Sequence, residues 1–300
     1  MTKQFISVVS YNVYGTYKEG KYIEERCQHI IDEIFKHDNP DVICLQEATE
    51  IVIETIIKRN PIYKIWTKLD TITTTLIPEH MEDLNTNGYM VILSKHDFIE
   101  QKVVYEGTRY NKGIMKVKIN INNTMITIYN VHMTGGTFGK PYESVMRKKL
   151  ARINELAILT SSLQKEDTKD IIIMGDFNYD SNNISQDETY KSPEYLISEC
   201  KDIWTLLRPN DLGATEDEII NTFRSCMKIK ERKDKRECRY DKIISIMKNI
   251  RPINIDIIGN IAIDITVMIT GKDMNNNIYT NMCKLFPSDH FGLYCLFEIK

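Results

Sequence analysis

The chain has 300 residues, of which 42% are hydrophobic and 27% charged, and a formal net charge of −3 at pH 7. This composition is that of a globular protein with a sizeable core, and it argues against a protein that coats nucleic acid through overall positive charge. Seven cysteines without a CxxC pair, several of them inside apolar runs, indicate core residues in a reducing compartment rather than a disulfide framework or a zinc site. There is no signal-like N-terminus and no apolar run near the roughly 20 residues that cross a bilayer. We therefore expect a soluble, intracellular protein with no membrane partner.

Strand-like and helical patterns alternate along the first half of the chain. Runs rich in Val, Ile and Tyr predict strands, and isoleucines at helical spacing predict amphipathic helices. Asn122-Asn123 predicts the turn of a hairpin. The predicted strands are 5–13, 42–45, 63–67, 89–93, 114–121 and 124–131, and the predicted helices are 22–35, 48–59 and 143–164.

The second half begins with a pattern that is typical of a functional strand end. Four apolar residues, 171–174, predict a buried strand, Gly175 allows a sharp exit, and Asp176 and Asn178 follow. A plain polar β-turn is the alternative, since these are ordinary turn residues. Downstream, a strand end is predicted at 222–223 and strands at 239–246 and 291–299. Strands spread over the full length, without a linker-like tract, predict one mixed α/β domain over residues 1–300.

The polar residues that end the apolar strands form a set with a common chemistry. They are Asn12, Glu47, His132, Asp176, Asn178, Asp241, Asp289 and His290. Carboxylates, amides and histidines without cysteine suit Mg²⁺ or Mn²⁺ better than Zn²⁺. Each residue also has a plain structural interpretation. For example, Glu47 could be a charge at a helix N-terminus, and Asp241 could be a salt-bridge partner of Arg239.

Taken together, the contexts of these residues resemble the endonuclease/exonuclease/phosphatase superfamily. The matching motifs, in the family's order, are Ser10-Tyr11-Asn12-Val13, Pro40-Asp41-Val42-Ile43-Cys44-Leu45-Gln46-Glu47, Asn130-Val131-His132, Gly175-Asp176-Phe177-Asn178, Arg239-Tyr240-Asp241-Lys242-Ile243 and Pro287-Ser288-Asp289-His290. The resemblance implies a four-layer α-β-β-α sandwich of two mostly antiparallel sheets with outer helices. It also implies an active site at one rim, where strand ends from both sheets converge.

The same resemblance implies roles in metal-dependent phosphodiester hydrolysis. Glu47 would hold Mg²⁺ (or Mn²⁺), with Asn12 and Asp289 completing or supporting the metal shell. Asp176 would align and deprotonate the attacking water, and Asn178 would fix Asp176 or the phosphate. The phosphate would receive hydrogen bonds from His290, oriented by Asp241, and from His132.

One position departs from the pattern of apurinic endonucleases and tyrosyl-DNA phosphodiesterases. Two residues after Asn12, where those relatives commonly carry an aspartate, this chain has Tyr14. Because a phenol cannot replace that carboxylate, we expect one catalytic metal ion rather than two.

The fifth and sixth motifs look most like those of 5′-tyrosyl-DNA phosphodiesterases, enzymes of DNA repair. Basic residues lie nearby, in the run 228–242 and around the Gly-rich loop 134–142, and would hold the backbone at a DNA end. We name Arg239, Lys140 and Arg147 as substrate-binding candidates. A solvated, self-paired helix face explains the basic run equally well. Two other functions stay open: a phosphoinositide phosphatase or deadenylase of the same fold, and a catalytically silent relative that binds nucleic acid or protein.

Overall fold

The structure, a computed structural model, describes residues 3–15, 22–67, 88–107, 112–135, 142–180, 191–226, 235–272 and 278–300. Several predicted features lie outside these ranges, namely Lys140, the loop around Pro78 and residues 228–234 of the basic run 228–242. Within the described ranges, no helix is long and apolar enough to cross a membrane.

Sixteen strands are present in the described residues. In chain order they are β1 (Gln4–Asn12), β2 (Val42–Ala48), β3 (Lys64–Thr67), β4 (Tyr89–Ser94), β5 (Glu100–Glu106), β6 (Gly113–Ile121), β7 (Thr124–His132), β8 (Asp170–Asp176), β9 (Cys200–Asp202), β10 (Glu216–Asp217), β11 (Glu237–Cys238), β12 (Asp241–Ile246), β13 (Ile250–Ile258), β14 (Thr266–Lys272), β15 (Ile278–Lys284) and β16 (Gly292–Ile299). The helices are α1 (Ile23–Ile34), α2 (Glu50–Arg59), α3 (Tyr142–Leu163), α4 (Pro193–Leu196), α5 (Ile203–Leu207) and α6 (Thr222–Cys226).

Two six-stranded sheets form the centre of the fold. The first has the order β13-β16-β1-β2-β4-β3 and the second β5-β6-β7-β8-β12-β9. Most neighbours are antiparallel, but β1 pairs with β2 and β7 pairs with β8 in parallel. Because parallel neighbours end at the same edge, each pair brings two strand ends to one rim of its own sheet.

The alternation of side chains along the strands builds three apolar layers. Side chains of both sheets meet face to face, as with Val8 and Cys44 from the first sheet and Val117 and Ile172 from the second. On the outer face of the first sheet, α1 and α2 pack on the opposite side chains of β1 and β2. On the outer face of the second sheet, α3 packs against β7 and β8. The predicted α-β-β-α sandwich is therefore confirmed.

Local turn chemistry was predicted well at the central hairpin. Asn122 and Asn123 both have positive φ angles, 51° and 68°, as expected for a two-residue turn that follows the strand twist. The strand end predicted at 222–223 was wrong, because those residues begin α6. Asn221 Oδ1 accepts the Arg224 N–H at 3.0 Å and so caps the first turn of that helix.

Candidate active site

The predicted polar residues converge at one rim of the sandwich. In the second sheet, His132 is the register partner of Asp176, which in turn pairs with Asp241. In the first sheet, Asn12 lies at the end of β1, and its side-chain amide Nδ2 donates across to Asp176 Oδ2 at 3.1 Å. The rim therefore brings groups from both sheets into direct contact.

Asp176 lies at the centre of a dense hydrogen-bond network. The backbone N–H of Asn178 donates to its Oδ1 at 2.8 Å, and the Asn178 side chain donates to its Oδ2 at 2.7 Å. His132 Nε2 lies 3.4 Å from the same Oδ2. Burial alone would raise the pKa of Asp176, but the His132 hydrogen bond and the charges of His290 and His132 outweigh it and hold the pKa well below its usual range. Asp176 is therefore an ionised acceptor at neutral pH.

Glu47 is presented by an irregularity in β2. The pairing of β2 with β4 shifts register between Leu45 and Ala48, and Glu47 has a φ of 54°. Asn130, on the facing sheet, donates its Nδ2 to the carbonyl of Leu45 at 3.0 Å and to that of Val91 at 2.9 Å. These bonds satisfy two backbone carbonyls beside the irregularity and so hold the part of β2 that carries Glu47 at the rim.

Two glycines leave room for the unusual backbone at Glu47. A Cβ on Gly15 would lie 2.2 Å from the Glu47 carbonyl oxygen, and one on Gly88 would lie 2.6 Å from the carbonyl carbon. The carboxylate accepts no hydrogen bond from the described residues, and His132 Nε2 lies 3.7 Å from its Oε1. Burial raises the pKa of Glu47 to about 7. The positive charges of Lys112 and His290 oppose this effect and only partly offset it.

Asp241 and His290 form a buried pair beside this cluster. His290 Nδ1 lies 2.8 Å from Asp241 Oδ2, and Asp241 is fully buried. Burial opposes protonation of the ring, but the carboxylates of Asp241 and Asp289 raise the pKa of His290 well above its usual value. The second ring nitrogen, Nε2, is then available as a charged donor toward the rim.

The last motif is tied to the first by backbone contacts. Ser288 Oγ donates to the Asn12 carbonyl at 2.7 Å. The buried guanidinium of Arg26 donates to the carbonyls of Val13, Tyr14 and Pro287 at 2.7–3.0 Å. The ring of Tyr14 packs against Phe223 and Arg26. Its phenol brings no carboxylate to the site.

The donor set at the rim fits a hard divalent cation. The ligand atoms of Asp176, Asp241 and His290 lie within 4.8 Å of one another. However, three amide donors already occupy most of the acceptor sites of Asp176, and His290 Nδ1 is engaged with Asp241. Glu47 is the better anchor for a cation, because its carboxylate is largely removed from water and accepts no hydrogen bond from the described residues. Asp241 Oδ1 is a second buried oxygen without a hydrogen-bond partner among those residues. Oxygen donors of this kind suit Mg²⁺ or Mn²⁺.

Of the three predicted substrate-binding residues, the two that the structure describes, Arg239 and Arg147, are not brought into the cluster. Arg239 is only 4% exposed, and its Nη1 donates to Asp202 Oδ2 at 2.6 Å. Arg147 is an exposed residue of α3 without a bond to the cluster, and Lys140 lies outside the described residues. Lys242, part of the predicted basic run, is buried against the ring of Tyr179 at 3.7 Å and pairs with Glu194. These positions therefore give no support to a phosphate-binding role for Arg239 or Lys242.

Sequence reasoning missed three charged residues at the site. Lys112 Nζ contacts His132 Nε2, and Arg224 pairs with Asp289 and with Glu216. A signal for Lys112 was available: the predicted hairpin places residue 113 opposite His132, so residue 112 must lie beside it. Glu216 and Arg224 lie in elements of two and five residues, too short to give a periodic pattern.

The fold and the rim define a two-sheet α/β protein with a carboxylate-, amide- and histidine-lined site, and comparison with known proteins agrees. The Endonuclease/Exonuclease/phosphatase family matches residues 9–196, more than half of the chain. This protein therefore belongs to the endonuclease/exonuclease/phosphatase family, as the motifs predicted.

Individual relatives are similar over most of the chain. Tyrosyl-DNA phosphodiesterase 2 of Gallus gallus is 24% identical, covering 98% of this chain and 67% of the relative. The Xenopus laevis protein of the same name is also 24% identical, covering 87% of this chain and 58% of the relative. The crystal structure of D. rerio TDP2 with a single-strand DNA product superposes with a TM-score of 0.69 at 17% identity, covering 98% of this chain and 99% of the other. The chain thus spans about two thirds or less of the length of these two tyrosyl-DNA phosphodiesterase 2 relatives.

Proposed function

We propose that this protein is a divalent-metal-dependent phosphodiesterase that hydrolyses the bond between a tyrosine and the 5′ end of DNA, leaving a 5′-phosphate. The observation that carries the reaction class is the convergence at one rim of an ionised Asp176, a buried Asp241–His290 pair and the open carboxylate of Glu47. The choice of a tyrosyl-DNA substrate rests on the similarity to tyrosyl-DNA phosphodiesterase 2 and on the sequences of the fifth and sixth motifs.

The residues at the rim divide the work of phosphodiester hydrolysis. Glu47 would hold the metal ion, Mg²⁺ by preference, and Asn12 and Asp289 would support the metal shell. A bound divalent cation supplies positive charge against the oxygens of the phosphate. Tyr14 leaves only one such ion to be expected, because it brings no carboxylate to the site.

Asp176 has the environment of a group that orients water. Its donors from Asn12 and Asn178 fix the carboxylate and keep it ionised, so that a lone pair can accept a hydrogen from the attacking water. His290 presents Nε2–H to a non-bridging phosphate oxygen, while Asp241 holds Nδ1 and thereby sets the ring orientation. His132, adjacent to Asp176 and Glu47, supplies a second donor.

The test is cleavage of an oligonucleotide that carries a 5′-phosphotyrosine, in Mg²⁺ and in EDTA, by wild type and by Asp176→Asn. The matched control is Asp167→Asn, which removes an exposed carboxylate that precedes β8, whereas Asp176 lies at the other end of that strand. We expect a metal-dependent 5′-phosphate product from wild type and the control, and none from Asp176→Asn. Inositol phosphates and poly(A) RNA serve as competing substrates. Turnover of either in place of the phosphotyrosyl end would support the assignment of the site and refute the proposed substrate. No turnover of any of the three substrates would refute the proposal that this protein is an enzyme.

A further inference from the structure

A short segment, residues 215–224, braces both members of the Asp241–His290 pair. The hydroxyl Oγ1 of Thr215 accepts the N–H groups of Tyr240 at 3.1 Å and of Asp241 at 3.0 Å. The Thr215 carbonyl accepts the N–H of Phe291, the residue after His290, at 2.6 Å. Asn221 adds a bond from its side chain to the Ser288 carbonyl at 2.9 Å. The segment therefore holds the backbone on the Asp241 side and on the His290 side.

Arg224, at the end of this segment, joins two carboxylates beside the histidine. Its Nη1 donates to Asp289 Oδ2 at 2.8 Å and its Nη2 donates to Glu216 Oε2 at 2.6 Å. Both carboxylate side chains are only 4% exposed. Buried carboxylates without a counter-charge are costly, and the fork of a guanidinium can satisfy two of them at once. The side chain of Asn221 accepts the backbone N–H of Arg224 and so fixes the backbone from which the guanidinium extends.

The position of Glu216 creates a competition for His290. Glu216 Oε2 lies 3.9 Å from His290 Nε2, the ring nitrogen that Asp241 leaves available. A small rotation would let this carboxylate accept a hydrogen bond from Nε2, in the place that a substrate phosphate must take. The same oxygen, Glu216 Oε2, accepts the shorter of the two hydrogen bonds that Arg224 donates. This bond keeps the Glu216 carboxylate from moving toward His290 Nε2.

We propose that Arg224 is a positioning residue for the reaction: it keeps Glu216 away from His290 Nε2 and holds Asp289 in place, so that the histidine donor stays free for the substrate phosphate. This inference rests on the proposed phosphodiesterase function. It differs from an ordinary structural ion pair in one respect, because the damage caused by losing Arg224 comes from Glu216 and should be relieved by removing Glu216 as well.

The experiment is a double-variant cycle on the full chain, with Arg224→Gln, Arg224→Lys, Glu216→Gln and the Arg224→Gln/Glu216→Gln double variant. Arg208→Gln is the matched control, since it removes the same charge from an Arg–Asp pair with Asp256 that lies on β13. We expect Arg224→Gln to lower kcat on the phosphotyrosyl oligonucleotide by about 10- to 100-fold, the range for groups that orient catalytic side chains. The double variant should regain most of that loss, and Arg208→Gln should stay close to wild type. Arg224→Lys should fall between Arg224→Gln and wild type, because it keeps the charge but loses the fork that reaches both carboxylates.

Metal binding supplies a readout that a general structural defect would not leave intact. Mn²⁺ affinity, measured by electron paramagnetic resonance, should fall much less than kcat in Arg224→Gln. Glu47, the proposed anchor of the metal ion, has no hydrogen bond or ion pair with Arg224 among the described residues, and Asp289, which Arg224 does bind, only supports the metal shell. Loss of Mn²⁺ binding together with activity would overturn the proposal, as would a double variant no better than Arg224→Gln, or Arg224→Gln with wild-type kcat.

The two proposals can fail separately. If wild type does not cleave the phosphotyrosyl end, the proposed function fails, and the binding of inorganic phosphate, followed by phosphorus NMR in EDTA, then decides the role of Arg224. Phosphate binding weakened in Arg224→Gln and restored in the double variant supports the positioning role. Equal binding in all variants refutes it.

Discussion

The buried carboxylate of Glu47 should destabilise the metal-free protein, so Glu47→Gln should stabilise it while abolishing metal binding. Burial raises the pKa of Glu47 from the ordinary 4.5 to about 7. The folded state therefore binds the proton more tightly than the unfolded chain does. The stabilisation from this proton is fully present below about pH 4.5 and is lost as the pH rises through about 7.

The size of the effect follows from the pKa shift. A rise from 4.5 to about 7 corresponds to about 3 kcal/mol at pH 8, since one pKa unit is worth about 1.4 kcal/mol. This is an upper bound, because the Glu47 side chain keeps 14% of its surface exposed. A glutamine has nearly the same shape and carries no charge, so Glu47→Gln should raise the melting temperature in EDTA at pH 8 by up to about 5 °C for a chain of this length.

Thermal or urea unfolding in EDTA at pH 8 and at pH 5 measures this effect. The difference between Glu47→Gln and wild type should shrink to about 1 kcal/mol or less at pH 5, where the folded wild type is already protonated. Adding Mg²⁺ at 100 times its Kd should stabilise wild type by about 2.7 kcal/mol and leave Glu47→Gln unchanged. A Glu47→Gln variant that is less stable than wild type at pH 8 in EDTA would refute this reasoning, and Mg²⁺ binding to the variant would refute the metal assignment.

Three further outcomes test the rest of the site. Asp176→Asn should lower kcat by about 10²- to 10⁴-fold, as measured by initial rates, with the melting temperature showing that the fold is kept; a rate within tenfold of wild type would mean that Asp176 is not the water-orienting group. Asn130→Leu leaves two backbone carbonyls without their donor, so the free energy of unfolding should fall by about 2 kcal/mol or more in urea, and calorimetry should show weaker Mg²⁺ binding. Lys242→Met removes a buried ammonium whose pKa burial lowers, and leaves Glu194 without its partner, so the free energy of unfolding should fall by about 2 kcal/mol. DNA cleavage by the folded variant should stay intact, whereas a large rise in KM would identify Lys242 as a DNA contact.

The rim was predictable because strand ends leave a clear trace in the sequence. An apolar run that stops at a polar residue, as at Asn12 or Asp176, fixes both a strand and the position of its last side chain. Six such motifs in the order of a known family were enough to predict the sandwich and the convergence of these side chains at one rim. The parallel pairing of β1 with β2 and of β7 with β8 then brings those ends together without any further information.

The groups that brace the rim left no such trace. Arg26 lies within the helical pattern of α1, where a charged residue normally faces solvent, yet it is fully buried and holds three carbonyls. Arg239 lies in a motif beside Asp241 and was predicted to bind substrate, but it pairs with Asp202 instead. The strands β13, β14 and β15 also went unpredicted. Whether a side chain of such a strand is apolar or polar depends on which face of the strand the neighbouring elements cover, and the sequence alone does not show this.

Burial explains why this rim needs so many positively charged and amide neighbours. Glu47, Asp176, Asp241 and Asp289 bring four carboxylates to one place, and each would repel the others in a low dielectric. Amide donors and His132 stabilise the carboxylate of Asp176. His290 stabilises that of Asp241, and Arg224 stabilises that of Asp289. Glu47 alone has no hydrogen-bond donor among the described residues. Its burial is only partly offset by the charges of Lys112 and His290. Glu47 is therefore the carboxylate at which a metal ion gains most by binding, and the stability of Glu47→Gln in EDTA is the sharpest single test of the site.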